Sequence, residues 1–191
     1  MDAGRVVAPG TRHDRWSYEE ALARCGVLEV LAPFNPHVAG TPPLGLNLPG
    51  SDIDVLCFAP DVHAFVNAVW RSFSEAPGFT AKQWVEAPRP AVASFEAPDW
   101  RIELYGEAIP VEQQRGWRHF AVERHLLALG GDGFLLAVLA LRQRGMKTEP
   151  AFADVLGLRG DPSLALLDLG ERDDETLISM LAAGGFARLA T

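Results

Sequence analysis

Cysteine is nearly missing from this chain. The two that occur among 191 residues, Cys25 and Cys57, sit inside apolar stretches and lack metal-type spacing. That argues against a disulfide framework and a thiolate metal site, and predicts two buried free thiols in a reducing cytoplasm. Positive charge is scarce as well: 17 Lys and Arg face 25 Asp and Glu, a formal net charge of -8. Proteins that grip long nucleic acid usually carry a basic face, because neutralised phosphates supply most non-specific affinity. A small molecule or nucleotide suits this balance better. Long apolar runs are lacking, since the longest, around Phe134 to Leu141, falls well short of a membrane span. The opening "MDAGRVVAPG" has no basic-then-apolar export signal. The expectation is a cytoplasmic protein with no membrane role, long enough to bury a real core.

The patterning predicts an α+β fold. Ser17 followed by Glu20 is a capping-box pair that opens a helix through Ala21, Leu22 and Cys25, with Gly26 as an interruption. "HVAGT" reads as a short strand entering a loop, and "DIDVLCF" is the clearest strand, apolar and β-branched. A helix is predicted from Val62 to Phe73, with Phe65, Val66, Val69 and Phe73 on one stripe. "TAKQWVEA", "AVASFEA" and "WRIELYG" read as strands, the last two joined in a hairpin by "APD" at Ala97 to Asp99. After Pro110 the pattern is helical: Val111 to Leu129, Gly133 to Gln143, a short helix opened by Thr148, and helices through Leu164 and Leu177. The division is an α/β core over 1–110 and a helical region over 111–191 packed on it.

Within the strand pattern, Asp52 and Asp54 stand two residues apart and so share a face, while Ile53 and Val55 enter the core. Parallel carboxylates repel each other but suit hard divalent cations such as Mg2+. Two such ions sit about 3.5–4 Å apart where they clamp the attacking and leaving oxygens of phosphoryl transfer. Glu103 in "RIELYG", alternating with Ile102 and Leu104, is the candidate third carboxylate; Glu96 and Asp99 are alternatives nearer the predicted turn. Ahead of the pair, Gly40 permits close backbone approach and Thr41 adds a hydroxyl, together able to face phosphate oxygens. Ser51 either assists or fixes the loop. Each piece also has an ordinary reading, because strand-end aspartates often cap loops and Gly40 to Gly50 can be a plain turn.

"AGT", ten intervening residues, "DID" and a later "IEL" together resemble the nucleotidyltransferase superfamily that includes DNA polymerase beta and the aminoglycoside adenylyltransferases. Thr41 stands where that signature has Ser or Gly. With "QQRGWRHFAVERHLL" and "KTEPAFADVLGL" added, the chain resembles, from about Trp16 to Leu169, an uncharacterised branch, the domain of unknown function numbered 4269. The resemblance implies a nucleotidyltransferase-like mixed sheet flanked by helices. It implies that Gly40 and Thr41 hold nucleotide phosphates, that Asp52 and Asp54 ligate Mg2+ (two ions, with Mn2+ as a substitute), and that Glu103 completes the second metal site. The implied reaction is attack of an acceptor hydroxyl, on a small molecule or a protein, at the α-phosphate of a nucleoside triphosphate such as ATP.

In the helical half, Arg115, Arg118, His119 and Glu123 lie within helical reach, with His119 and Glu123 at i and i+4. Arg118 and His119 can face a triphosphate, or the strip can be a solvated ion-pair face. Gln113 or Gln114 can contact a base, although the spacing singles out neither. Gly145 ends one helix, Thr148 caps the next and Pro150 lies in its first turn, while Arg144 and Lys147 add positive charge there. His13, His37, His63 and His125 read as surface or packing residues. The rivals are a non-catalytic nucleotide-binding or antitoxin-like module of the same fold, and a sugar-nucleotide glycosyltransferase. The second expects a larger α/β domain before the Asp pair than the roughly fifty residues present.

Overall fold

The computed structural model describes residues 15–85 and 89–186. His13, and Glu86 and Ala87 at the end of the strand expected from Thr80, lie outside them. Two short helices, α1 (Tyr18–Arg24) and α2 (Val27–Leu31), lead into β1 (His37–Ala39) and β2 (Asp52–Phe58). Then follow α3 (Val62–Phe73), β3 (Thr80–Gln83), β4 (Ala91–Ala97) and β5 (Trp100–Glu107). Four helices follow among the described residues: α4 (Arg115–Gln143), α5 (Thr148–Val155), α6 (Pro162–Leu169) and α7 (Asp174–Ala183). The architecture is α+β.

Local chemistry explains the element ends. The α1 capping box closes in both directions, with the Glu20 N–H on Ser17 Oγ and the Ser17 N–H on the Glu20 carboxylate. Gly26, at φ +65°, makes the left-handed step into α2 that a side chain would resist. Asp61, Asp161 and Asp173 cap α3, α6 and α7 by accepting backbone N–H bonds. The expected cap at Thr148 is not found: Lys147 occupies the cap position without a side-chain bond, and the Thr148 hydroxyl accepts instead from Arg142 Nη1 at 2.9 Å.

The five strands order as β1-β2-β5-β4-β3. β2 and β5 run parallel and every other pair antiparallel, including the expected hairpin between β4 and β5, where Ala97 faces Trp100. Alternation gives the sheet two apolar faces. Ile53, Val55, Cys57, Ile102 and Leu104 pack against α1 to α3, meeting Phe65, Val69 and Phe73 of the predicted stripe; Val66 is half-buried at its edge. On the other face, Leu56 joins a second core with Leu44, Phe120, Phe134 and Phe152, beneath α4 to α7. Cys57 is buried and Cys25 half-buried, both as free thiols.

α4 is long and apolar enough, by length and composition alone, to cross a membrane. Its backbone is broken at Gly131 (φ 65°, ψ -164°), where the sequence predicts the gap between two helices. Neither piece reaches the ~20 residues a span needs. Phe120, Leu126, Phe134 and Val138 bury on both sides of the break, in the core.

At Gly106 the sheet has no room for a side chain beneath α3, because a Cβ there would stand 2.6 Å from the Phe65 ring. Gly106→Ala should therefore destabilise the fold by roughly 1–3 kcal/mol. Chemical denaturation checks this, and Phe65→Leu in the same chain should recover part of the loss.

Candidate active site

The pairing register builds the site. Asp54 stands opposite Glu103 across the parallel β2–β5 ladder, and Asp52 opposite Arg101. Paired positions share a face, so Asp52, Asp54 and Glu103 project together, on the side away from Ile53 and Ile102. β1 ends with Ala39 opposite Asp54, which delivers Gly40 directly onto that carboxylate. Gly40 has φ +81°, and a Cβ added to it would collide with Asp54 Oδ2. Both its conformation and its contact require glycine.

The loop beyond is held by its own bonds. The Thr41 carbonyl accepts from the Leu44 and Leu46 N–H groups at 3.2 and 3.1 Å. Ser51 Oγ accepts from the Leu48 N–H at 2.8 Å, so this side chain fixes the loop. These residues rim a cleft of about 850 Å3 that runs from the three carboxylates to the helical half.

Electrostatics mark Asp54 as the stressed member. Burial, then the charges of Glu103 and Asp52, push its carboxyl up to about 6. Asp52, more exposed, is raised by desolvation and partly relieved by Arg101. The Arg101 guanidinium is itself engaged, donating to Ser94 Oγ at 2.7 Å. The donor set fits hard divalent cations: three carboxylates, no soft ligand, and repulsion that bound positive charge would remove. Among the described residues, however, no group of three or more His, Cys, Asp or Glu side chains is gathered so as to hold a metal ion.

The opposite wall comes from α4, α5 and α6. His119 and Glu123 line the cleft from α4, Lys147 and Glu149 from the start of α5, and Ser163 from the start of α6. His119 Nε2 and Ser163 Oγ are hydrogen-bonded at 2.9 Å, and Arg115 Nη2 donates to the same oxygen at 2.9 Å. Burial holds the His119 imidazole below its usual range. Burial and the neighbouring Glu149 push Glu123 up to about 8, against the pull of Arg142.

Gly40, Thr41, Ser51, Asp52, Asp54, Glu103, His119 and Lys147 thus share one cleft. Arg118 does not join them. It turns to another groove and pairs with Glu171 at 3.0 Å, because consecutive helix residues point about 100° apart and His119 takes the inward direction. Gln114 is not a base contact either: it is buried, and its Nε2 donates to the carbonyls of Cys57 (2.9 Å) and Ile109 (3.1 Å). Of the remaining histidines, His125 meets Asp174 at 2.8 Å and His37 packs edge-on against Trp117. Sequence reasoning missed Arg142 and Ser163. The first looks like an ordinary cation at a helix end and the second like part of a helix start; only tertiary packing brings them to the cleft.

The raised carboxyl of Asp54 has a stability consequence with a definite sign. A carboxyl lifted from 3.8 to about 6 on folding favours the folded state least once it is ionised. The Asp54 contribution to the stability of the metal-free protein should fall as pH rises from about 4 to 6, then level off. Asp54→Asn should accordingly raise metal-free stability at pH 7.5, by on the order of 1–2 kcal/mol, with little difference at pH 4. Thermal melts at both pH values check the sign, and added Mg2+ should stabilise the wild type but not the variant.

No curated protein matches the chain. Among solved structures it is similar to the polymerase core of TRAMP, an RNA surveillance complex, with 16% identity and a TM-score of 0.42. That similarity covers 86% of this chain and 58% of the other, so the chain spans little more than half of that protein's length. The family model described as "Domain of unknown function (DUF4269)" matches residues 20–169, which include all five described strands and the helical wall of the cleft. On that match, the chain belongs to the DUF4269 family.

Proposed function

We propose that the protein is a nucleotidyltransferase of polymerase-beta-like fold that uses Mg2+ to transfer a nucleoside monophosphate from a nucleoside triphosphate to an acceptor hydroxyl. The observation that carries this reading is the in-register row of Asp52, Asp54 and Glu103 at one end of a cleft, with Gly40 seated on Asp54. Three mutually repelling acids cost stability that binding positive charge would return.

Asp52, Asp54 and Glu103 would hold the divalent cations, whose charge offsets that of the triphosphate. The Gly40–Thr41 loop, fixed from behind by Leu44, Leu46 and Ser51, would set the phosphates at the carboxylate end of the cleft. Lys147, at the start of α5, would add positive charge on the facing wall. Glu103, and Asp54 once its proton has left, would also orient the acceptor hydroxyl and draw on its proton. The rate would come from positioning and charge neutralisation, with no protein nucleophile needed.

Incubation of pure protein with labelled triphosphates, Mg2+ and an extract of small metabolites tests this. Label should pass to an acceptor with wild type and fall by at least about a hundredfold with Asp52→Asn/Asp54→Asn. Transfer that survives in the double variant overturns the mechanism. Nucleotide binding without transfer would favour the non-catalytic module. Arg118→Ala is the internal control and should leave transfer within about twofold, since its guanidinium points away from the cleft.

A further inference from the structure

The face of α4 that turns away from the carboxylates takes no part in the chemistry above. Trp117, Arg118 and His125 line a second groove there, of about 600 Å3, closed on its far side by Leu169, Arg172 and Leu177. It shares no lining residue with the cleft. Arg124 lines both this groove and a third hollow of about 650 Å3, where Leu22, Leu28, Val38 and Pro43 form an apolar lining. The two hollows therefore adjoin, one basic and one greasy.

The groove runs against the charge of the molecule. Arg118, Arg124 and Arg172 stand on it with only Glu112 and Glu171, in a chain of 17 Lys and Arg to 25 Asp and Glu. Glu171 is taken up by Arg118 at 3.0 Å, and Glu112 reaches His37 at 3.7 Å. Arg124 and Arg172 have no ion-pair partner among the described residues. Arg124 instead lies over the rings of Trp117 and Phe120, at 5.8 and 5.3 Å, an attraction that holds a guanidinium in place without an acid. The surface already reads carboxylates, since Asp174 meets His125 at 2.8 Å beside the Arg118–Glu171 pair. Both pairs are exposed, so an incoming carboxylate can replace either at small cost.

We propose that this face is a docking groove for a partner protein, which lays across it a short segment mixing acidic and aliphatic residues. Its carboxylates meet Arg118, Arg124 and Arg172; its aliphatic side chains rest on the floor of Val122, Leu169 and Leu177 and in the hollow beyond Arg124. A lone small anion would use the arginines and leave the apolar floor uncovered. Nucleic acid fits less well, because its grip needs a run of phosphate contacts. The net charge of -8 and the acids Asp173, Asp174 and Glu175 at the adjoining start of α7 oppose a polyanion longer than the groove. The proposal uses no residue of the nucleotidyltransferase reading and stands apart from it.

Selecting a displayed library of random peptides, each about a dozen residues long, on the whole protein tests this. The same selection is run on Arg124→Glu/Arg172→Glu, in which two exposed cations are reversed. Peptides enriched on wild type should combine Asp or Glu with Leu, Ile or Val. One of them, labelled and followed by fluorescence anisotropy, should bind the reversed chain about tenfold or more weakly and lose affinity as salt is raised. Asp54→Asn should bind it as wild type does. Arg124→Gln/Arg172→Gln repeats the comparison should the reversal lower the melting temperature, with a loss of about threefold expected. Enrichment of peptides without acids, enrichment unchanged on the reversed chain, or no enrichment at all would each overturn the proposal. So would a single-stranded RNA oligonucleotide that binds more tightly than the best peptide.

Discussion

The repulsion between Asp54 and Glu103 is the constraint around which the sheet is arranged. A parallel ladder places them side by side, and β1 closes the third side with the Gly40 backbone. Among the described residues, the charges acting on Asp54 are other carboxylates, Glu103 and Asp52. Such an arrangement persists only where the surrounding structure over-determines it. Here the determinants are the apolar residues that alternate with the acids: Ile53, Val55, Ile102 and Leu104 are fully buried on the opposite face. Moving the acids apart by one residue would turn those four side chains outward.

Around that row the cleft divides its tasks between two kinds of secondary structure. Strands hold the carboxylates at fixed spacing, and helix starts and one helix face supply the groups opposite. The two apolar cores follow the same division, one under α1 to α3 and one under α4 to α7, with the sheet between them. The acids lie on the second face, close to where Leu56 and Tyr105 meet the helices, and this places a polar row at the margin of an apolar layer.

Much of this could be read from sequence because its causes are local. A period of two in "DIDVLCF" and "RIELYG" places Asp52, Asp54 and Glu103 without any knowledge of pairing, and the Ser17–Glu20 box and the 62–73 helix follow from short-range chemistry. What could not be read depends on distant contacts. The parallel register that sets Asp54 against Glu103 joins segments about fifty residues apart. The rotation of α4 that sends His119 inward and Arg118 outward is decided by what packs on it. Thr148 has the residue type of a cap, but a guanidinium from the preceding helix claims its hydroxyl. Gln114, which the sequence offers with Gln113 as a possible base contact, is buried.

That buried amide carries a mechanical implication. By binding the Cys57 and Ile109 carbonyls, Gln114 rivets the first turn of the helix that bears one wall to the strand that bears the other. The width of the gap between the walls is then set by a joint lying outside the gap itself. Lengthening or shortening the connection around Ile109 would change the width of the cleft while leaving Asp52, Asp54 and Glu103 where the strands hold them.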